Sequence, residues 1–221
     1  MSIRILPFRQ YSDNDVVNLY ALDNNSVLDA TTDVGSGDAG VFVSIRDGNW
    51  NNDPVTYQTN SYLGDTSYPF LGGTTMYPEV NLKVNAALSG EHPLGITLYQ
   101  TAKNDENGEK LLYNPTKQTE LQAMLPGQAV PIATKGIFTL SNSGFDGDAG
   151  NYPIGTPVLM SHENPGKITG VKPGHSAAVT SGHRQHPHAS GRFGMVIGTG
   201  TRTNQGPTSD QFLGDYIVIK L

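Results

Sequence analysis

Hydrophobic and polar residues alternate with a period of two in several short runs of this chain. Side chains point to opposite faces along a strand, so this alternation predicts strands with one buried face. The cleanest run is Val80-Asn81-Leu82-Lys83-Val84-Asn85-Ala86, apolar at every even position. Leu94–Tyr99 repeats the pattern, and the turn residues Gly90 to Pro93 between the two predict a hairpin. Gly40–Arg46 alternates through Val41, Val43 and Ile45, and a shorter strand is expected at Val16–Leu22. In the last hundred residues, strand-like runs fall at Gln128–Leu140, Pro157–Met160, Phe193–Thr199 and Tyr216–Leu221. Val130, Ile132, Phe138 and Leu140 share one parity in the first of these. In the third, Phe193, Met195 and Ile197 share a face, with Gly194 and Gly198 opposite.

One short helix is expected. Asn114 can cap it, Pro115 suits its first position, and Thr116–Leu125 can run until Pro126-Gly127 stops it, with Leu121, Met124 and Leu125 inward. Asn107-Gly108 is a two-residue turn signal. These elements give three regions: an extended N-terminal arm at 1–15, an N-terminal β-domain with long loops at 16–112, and a short helix plus a train of C-terminal strands at 113–221. The expected fold class is therefore all-β with one short helix.

Composition narrows the function. With 26 glycines and 14 prolines among 221 residues, the chain is rich in turns but short of low-complexity disorder. Its formal charge is −6, and the 14 basic residues are scattered, so no nucleic-acid partner is expected. There is no cysteine, which removes disulfides and thiolate chemistry. No apolar run reaches the length of a membrane span, and no leader with a long apolar stretch opens the chain. No membrane partner and no signal peptide are expected.

Candidate chemistry is sparse. His183, His186 and His188 stand within six residues, but Pro187 and flanking Ser-Gly pairs mark a loop, and no carboxylate stands near to orient a ring. A solvated loop is the plain reading; a metal site shared at a symmetry axis is the alternative. Asp47–Asp53 carries side-chain oxygens at calcium-loop spacing, yet has Asn52 where the loop needs glycine and Gln58 where it needs an acid. Asp146–Asn151 is read, like it, as a turn. Gly198-Thr199-Gly200 follows a strand but has no third glycine and no helix after it, so it cannot cradle a phosphate. No catalytic residue and no cofactor is expected.

The segment Pro126-Gly127-Gln128-Ala129-Val130-Pro131-Ile132-Ala133-Thr134-Lys135-Gly136-Ile137-Phe138 resembles the opening strand of the small β-barrel in head decoration (cement) proteins of tailed bacteriophages. Gly155-Thr156-Pro157-Val158 and Gly194-Met195-Val196 stand where the later strands of that barrel would come. The resemblance covers about the C-terminal half and implies that residues 113–221 form a short helix plus a small C-terminal β-barrel. It implies a structural virion protein that is not an enzyme, made in the host cytoplasm and carried on the capsid exterior. Its implied partners are the major capsid protein, whose capsomers it would bridge, and further copies of itself as a homotrimer.

The first residues fit that picture as a partner-binding arm. Ile3, Ile5, Leu6 and Phe8 are apolar, Arg4 lies among them and Arg9 follows, and Pro7 argues against a helix. The arm could add to a neighbour's sheet edge, or it could be an edge strand on its own domain. The alternative function is a tail-associated module that binds carbohydrate or a host receptor, through the aromatic loop residues Trp50, Tyr57, Tyr62, Tyr68, Phe70 and Tyr77. A small hydrolase comes third.

Overall fold

A computed structural model describes residues 4–23, 37–47, 55–56, 79–80, 82–170, 192–203 and 213–221. In chain order the strands are β1 (Ile5–Gln10), β2 (Val16–Val17), β3 (Ala21–Leu22), β4 (Phe42–Asp47), β5 (Val55–Thr56), β6 (Glu79–Val80), β7 (Lys83–Ala86) and β8 (Gly95–Thr97). Then come β9 (Gln100–Thr101), β10 (Ala123–Met124), β11 (Ile132–Ala133), β12 (Ile137–Ser141), β13 (Pro157–Met160), β14 (Ile168–Gly170), β15 (Gly194–Arg202) and β16 (Gly214–Lys220). Among the described residues the one α-helix is α1 (Pro115–Glu120).

Two six-stranded sheets carry the fold. The first has the order β1-β12-β16-β15-β13-β14 and is antiparallel throughout. The second has the order β2-β11-β8-β4-β7-β3, with a parallel pair only at β3–β7. The main core takes Phe138, Leu140, Val158, Ile168, Val196, Ile217 and Ile219 from the first sheet and Phe42, Ile96 and Ala133 from the second. Fully burying such side chains is worth about 1.5–3 kcal/mol each, so this layer holds the sheets together. The second sheet also buries its other face, through Leu22, Val41, Val43, Val84 and Ile132. A third cluster joins Ala102, Leu111, Ala123 and Leu125.

The expected C-terminal barrel is not there. The first sheet is open: its edges are β1 and β14, which do not pair. The reason lies inside the run Gln128–Leu140, which alternation predicts as one strand. The chain breaks at Gly136, in a φ of +143°. A Cβ at that position would stand 2.6 Å from the Gln10 carbonyl oxygen, so only glycine fits. Ile132–Ala133 before the break join the second sheet and Ile137–Ser141 after it join the first. A strand that changes sheets makes a corner of a packed pair. The edges themselves also resist closure. Along β1 the pairing jumps from Ile5↔Leu140 to Arg9↔Phe138, so extra residues bulge out around Pro7, which has no N–H to offer.

Two local expectations shift as well. The hairpin predicted between Val80–Ala86 and Leu94–Tyr99 does not form, because β4 lies between β7 and β8 and pairs with both. The helix starts as expected, with the Asn114 side chain accepting from the Lys117 N–H at 3.2 Å. It ends at Glu120, five residues early: Gln122 takes a φ of +47°, and Ala123–Met124 pair in parallel with Gln100–Thr101. Leu125 is buried and Leu121 packs against the same cluster.

Candidate functional site on the β1 edge

Of the six N-terminal residues expected to bind a partner, Ile3 lies outside the described residues. Arg4, Ile5 and Leu6 are buried within the chain. The Arg4 Nε donates to Asp38 Oδ2 at 3.1 Å, with both side chains at most 10% exposed. The Arg4 carbonyl accepts from the Ser141 N–H at 2.9 Å, and Ile5 belongs to the main core. Gly40, at φ +88°, packs so closely that a Cβ there would stand 2.9 Å from the Ile5 nitrogen. The start of β1 is thus fixed by apolar burial, a backbone ladder and an internal ion pair.

Beyond Leu6 the strand turns its side chains outward. Phe8 is 67% exposed, and the Arg202 guanidinium lies 6.0 Å from its ring centroid. Arg9 is half-exposed, 6.0 Å from the Tyr11 ring, which stacks on Phe138 at 6.0 Å. Gln10 is exposed. The result is a short displayed tract, Phe8-Arg9-Gln10, on an anchored edge. Stacked cation–aromatic pairs of this kind are stronger once water is displaced.

His183, His186 and His188 lie outside the described residues, as do most of Asp47–Asp53 and the aromatic loop from Trp50 to Tyr77. Among the described residues no group of three or more His, Cys, Asp or Glu could hold a metal ion. Gly198-Thr199-Gly200 sits in the middle of β15, paired to β16. No helix among the described residues is long and apolar enough to cross a membrane.

The polar cluster at Asp146 was not visible in the sequence, since its members are 15 to 18 positions apart. Ser161 Oγ donates to Asp146 Oδ2, and Asn164 Nδ2 donates to Oδ1 at 2.8 Å. Ser161 Oγ also accepts the backbone N–H groups of Glu163 (3.2 Å) and Asn164 (3.0 Å). The hydroxyl therefore donates once and accepts twice, which uses its full capacity, and the arrangement holds two loops together. The Tyr152 hydroxyl donates to the Asp146 carbonyl at 2.7 Å. Burial, with the Asp146 charge second, pushes that hydroxyl up to about 12. Asp215 accepts from Thr201 Oγ1 at 2.6 Å and from the Ala149 N–H at 3.1 Å; these bonds, the threonine's first, hold its carboxyl below the usual range.

The described residues thus define a β-protein built on two six-stranded sheets, whose polar clusters tie loops and whose anchored β1 edge displays Phe8. Comparison with protein-family models, curated proteins and solved structures yields no match.

Proposed function

We propose that this chain is a structural virion protein that decorates the outside of a tailed-phage head and stabilises it by bridging capsomers. In this reading it is made in the host cytoplasm, binds the major capsid protein, acts as a homotrimer and has no enzymatic role. The resemblance over residues 126–138, 155–158 and 194–196 supplies the family reading. The observation that carries it to a surface is the anchored β1 edge displaying Phe8, Arg9 and Gln10. An edge already ordered by Ile5, Leu6 and the Arg4–Asp38 pair loses little conformational entropy on docking. Several such edges on one assembly would bind far more tightly than one alone.

The test is decoration of heads purified without this protein. The wild type is expected to bind in near-stoichiometric ratio to the major capsid protein. Phe8→Ser with Arg9→Ala is expected to weaken binding about tenfold or more while leaving the fold intact. Point substitutions are the right tool, since deleting β1 would strip Ile5 and Leu6 from the interior. Failure of the wild type to bind heads, or a copy number in the virion typical of a tail fibre, would overturn the reading.

A further inference from the structure

An exposed asparagine followed by glycine is chemically unstable, because glycine has no Cβ to keep its own nitrogen away from the preceding side-chain carbonyl. The sequence holds one such pair, Asn107-Gly108. It stands at the tip of an excursion that leaves β9 and returns at β10, and the bridge Asn104↔Lys110 closes that tip. Both residues are exposed. Gly108 takes a φ of +83°, and a Cβ there would meet nothing within 4 Å, so the space around its nitrogen is open. The Asn107 backbone N–H donates to Asp105 Oδ1 at 2.9 Å, but its side-chain amide makes no hydrogen bond among the described residues. Aspartate before glycine is open to the same chemistry, and Asp146-Gly147 shows what restrains it. Both Asp146 oxygens are taken, by Ser161 and Asn164, and a Cβ on Gly147 would stand 3.1 Å from Asn151 Nδ2. Asn107 has neither restraint. Its one brake is the Gly108 N–H, which donates to the Asp105 carbonyl at 3.1 Å and must be released before the nitrogen attacks.

We propose that Asn107 is a self-modification site, at which the chain converts its own asparagine to aspartate and isoaspartate. The Gly108 nitrogen attacks Asn107 Cγ and a C–N bond forms. The side-chain nitrogen leaves as ammonia, taking the proton from the Gly108 nitrogen, and a cyclic imide remains. Water then opens the imide. Breaking the Cγ–N bond yields aspartate; breaking the backbone C–N bond yields isoaspartate, with the chain now running through the side chain. Either product places a new carboxylate beside Asp105, Glu106 and Glu109, where Lys117 already pairs with Glu106. Isoaspartate also lengthens the backbone between two bonds that Asp105 Oδ1 accepts, from the N–H of Asn107 and from that of Glu109 at 2.8 Å. Asp105 is only 3% exposed and its own N–H donates to the Glu109 carbonyl at 2.9 Å, so a longer turn must give up some of these bonds. The excursion packs Ala102, Leu111, Ala123 and Leu125 in a cluster separate from the sheet cores. Ageing at Asn107 therefore loosens this unit and leaves the two large sheets in place. None of this depends on the capsid reading.

The test is incubation of the full chain at neutral and mildly alkaline pH, followed by peptide mapping with mass spectrometry. An isoaspartate-specific methyltransferase is the probe for the rearranged product. The amide of Asn107 is expected to be lost before that of any other asparagine, and faster as pH rises, because the attacking nitrogen must shed its proton. Asp146 should stay unrearranged. Asn107→Gln, whose longer side chain closes a ring poorly, should remain intact at this position. Hydrogen exchange then compares fresh, aged and Asn107→Asp protein. Aged protein should exchange about tenfold or more faster at Asp105, Glu109 and Leu111, with Phe138 and Ile219 unchanged. Asn107→Asp carries the charge without the longer backbone and should show less of the effect. An Asn107 that outlasts other asparagines, or aged protein whose exchange at Leu111 matches that of fresh protein, would overturn the proposal.

Discussion

The buried pair Arg4–Asp38 tests how β1 is held. Its 3.1 Å contact joins the first strand of one sheet to the segment that leads into β4 of the other. That segment is itself pinned to β8: Thr97 Oγ1 donates to the Asp38 carbonyl at 3.1 Å and accepts from the Val41 N–H at 3.1 Å, and the Gly40 N–H reaches the Thr97 carbonyl at 2.7 Å. Asp38→Ala removes the carboxylate that accepts from the Arg4 Nε, in a residue only 8% exposed. Breaking a buried pair from one side costs about 3–5 kcal/mol, because the remaining charge stays out of water. In a protein of this size that is a fall in Tm of about 6–20 °C. Urea denaturation at neutral pH, followed by far-UV circular dichroism, measures it. Amide exchange at Leu140 and Ser141, which lie along β1, shows whether the loss is global. The double variant Arg4→Met with Asp38→Leu should recover most of the loss, since an apolar pair of similar volume removes the buried charge. A loss below about 1 kcal/mol for Asp38→Ala, the level of a surface pair, would refute the argument that this bond ties the sheets.

Other outcomes follow from the same geometry. Gly95→Ala should cost about 3 kcal/mol or abolish soluble expression, because its Cβ would stand 2.2 Å from the Ala133 carbonyl oxygen in the β8–β11 pair, where backbone meets backbone. Tyr152 keeps its proton more tightly folded than unfolded, so its stabilising contribution is full below pH about 10 and is lost as pH rises towards about 12; Tyr152→Phe should flatten that alkaline limb in a pH series of urea midpoints. Asp215 has the opposite sign: its contribution is present above the ordinary aspartate range and fades as pH falls through its lowered folded value. Thr201→Val, which removes the chief cause, should make the acid limb shallower in the same series.

Local pattern was legible in this sequence and partnership was not. Alternation located β12, β13, β15 and β16 and the shared face of Phe138 and Leu140, because burial of one face leaves its trace in the strand itself. The helix cap at Asn114 was equally local. Two single residues carried the larger errors. At Gly136 the chain changes sheets, so Ile132 and Phe138, of equal parity, end in different clusters. At Ile197 the register slips by one, so Gly198 joins Met195 on the outward face, where unbroken alternation sets it opposite. A bulge adds one residue and inverts every side chain beyond it, which no count of apolar positions can show. The Asp146–Ser161–Asn164 cluster left no trace either, since short polar residues in turns are common and only the fold brings these together.

The placement of β1 bears most on function. Pro7 and the bulge around it keep this edge from taking another strand in register, which argues against simple strand addition at the N-terminus. What the edge offers is side chains: an exposed phenylalanine with an arginine beside its ring, followed by Arg9 and Gln10. A partner that recognised this edge would need a pocket or acidic rim for these side chains and would gain little from backbone pairing.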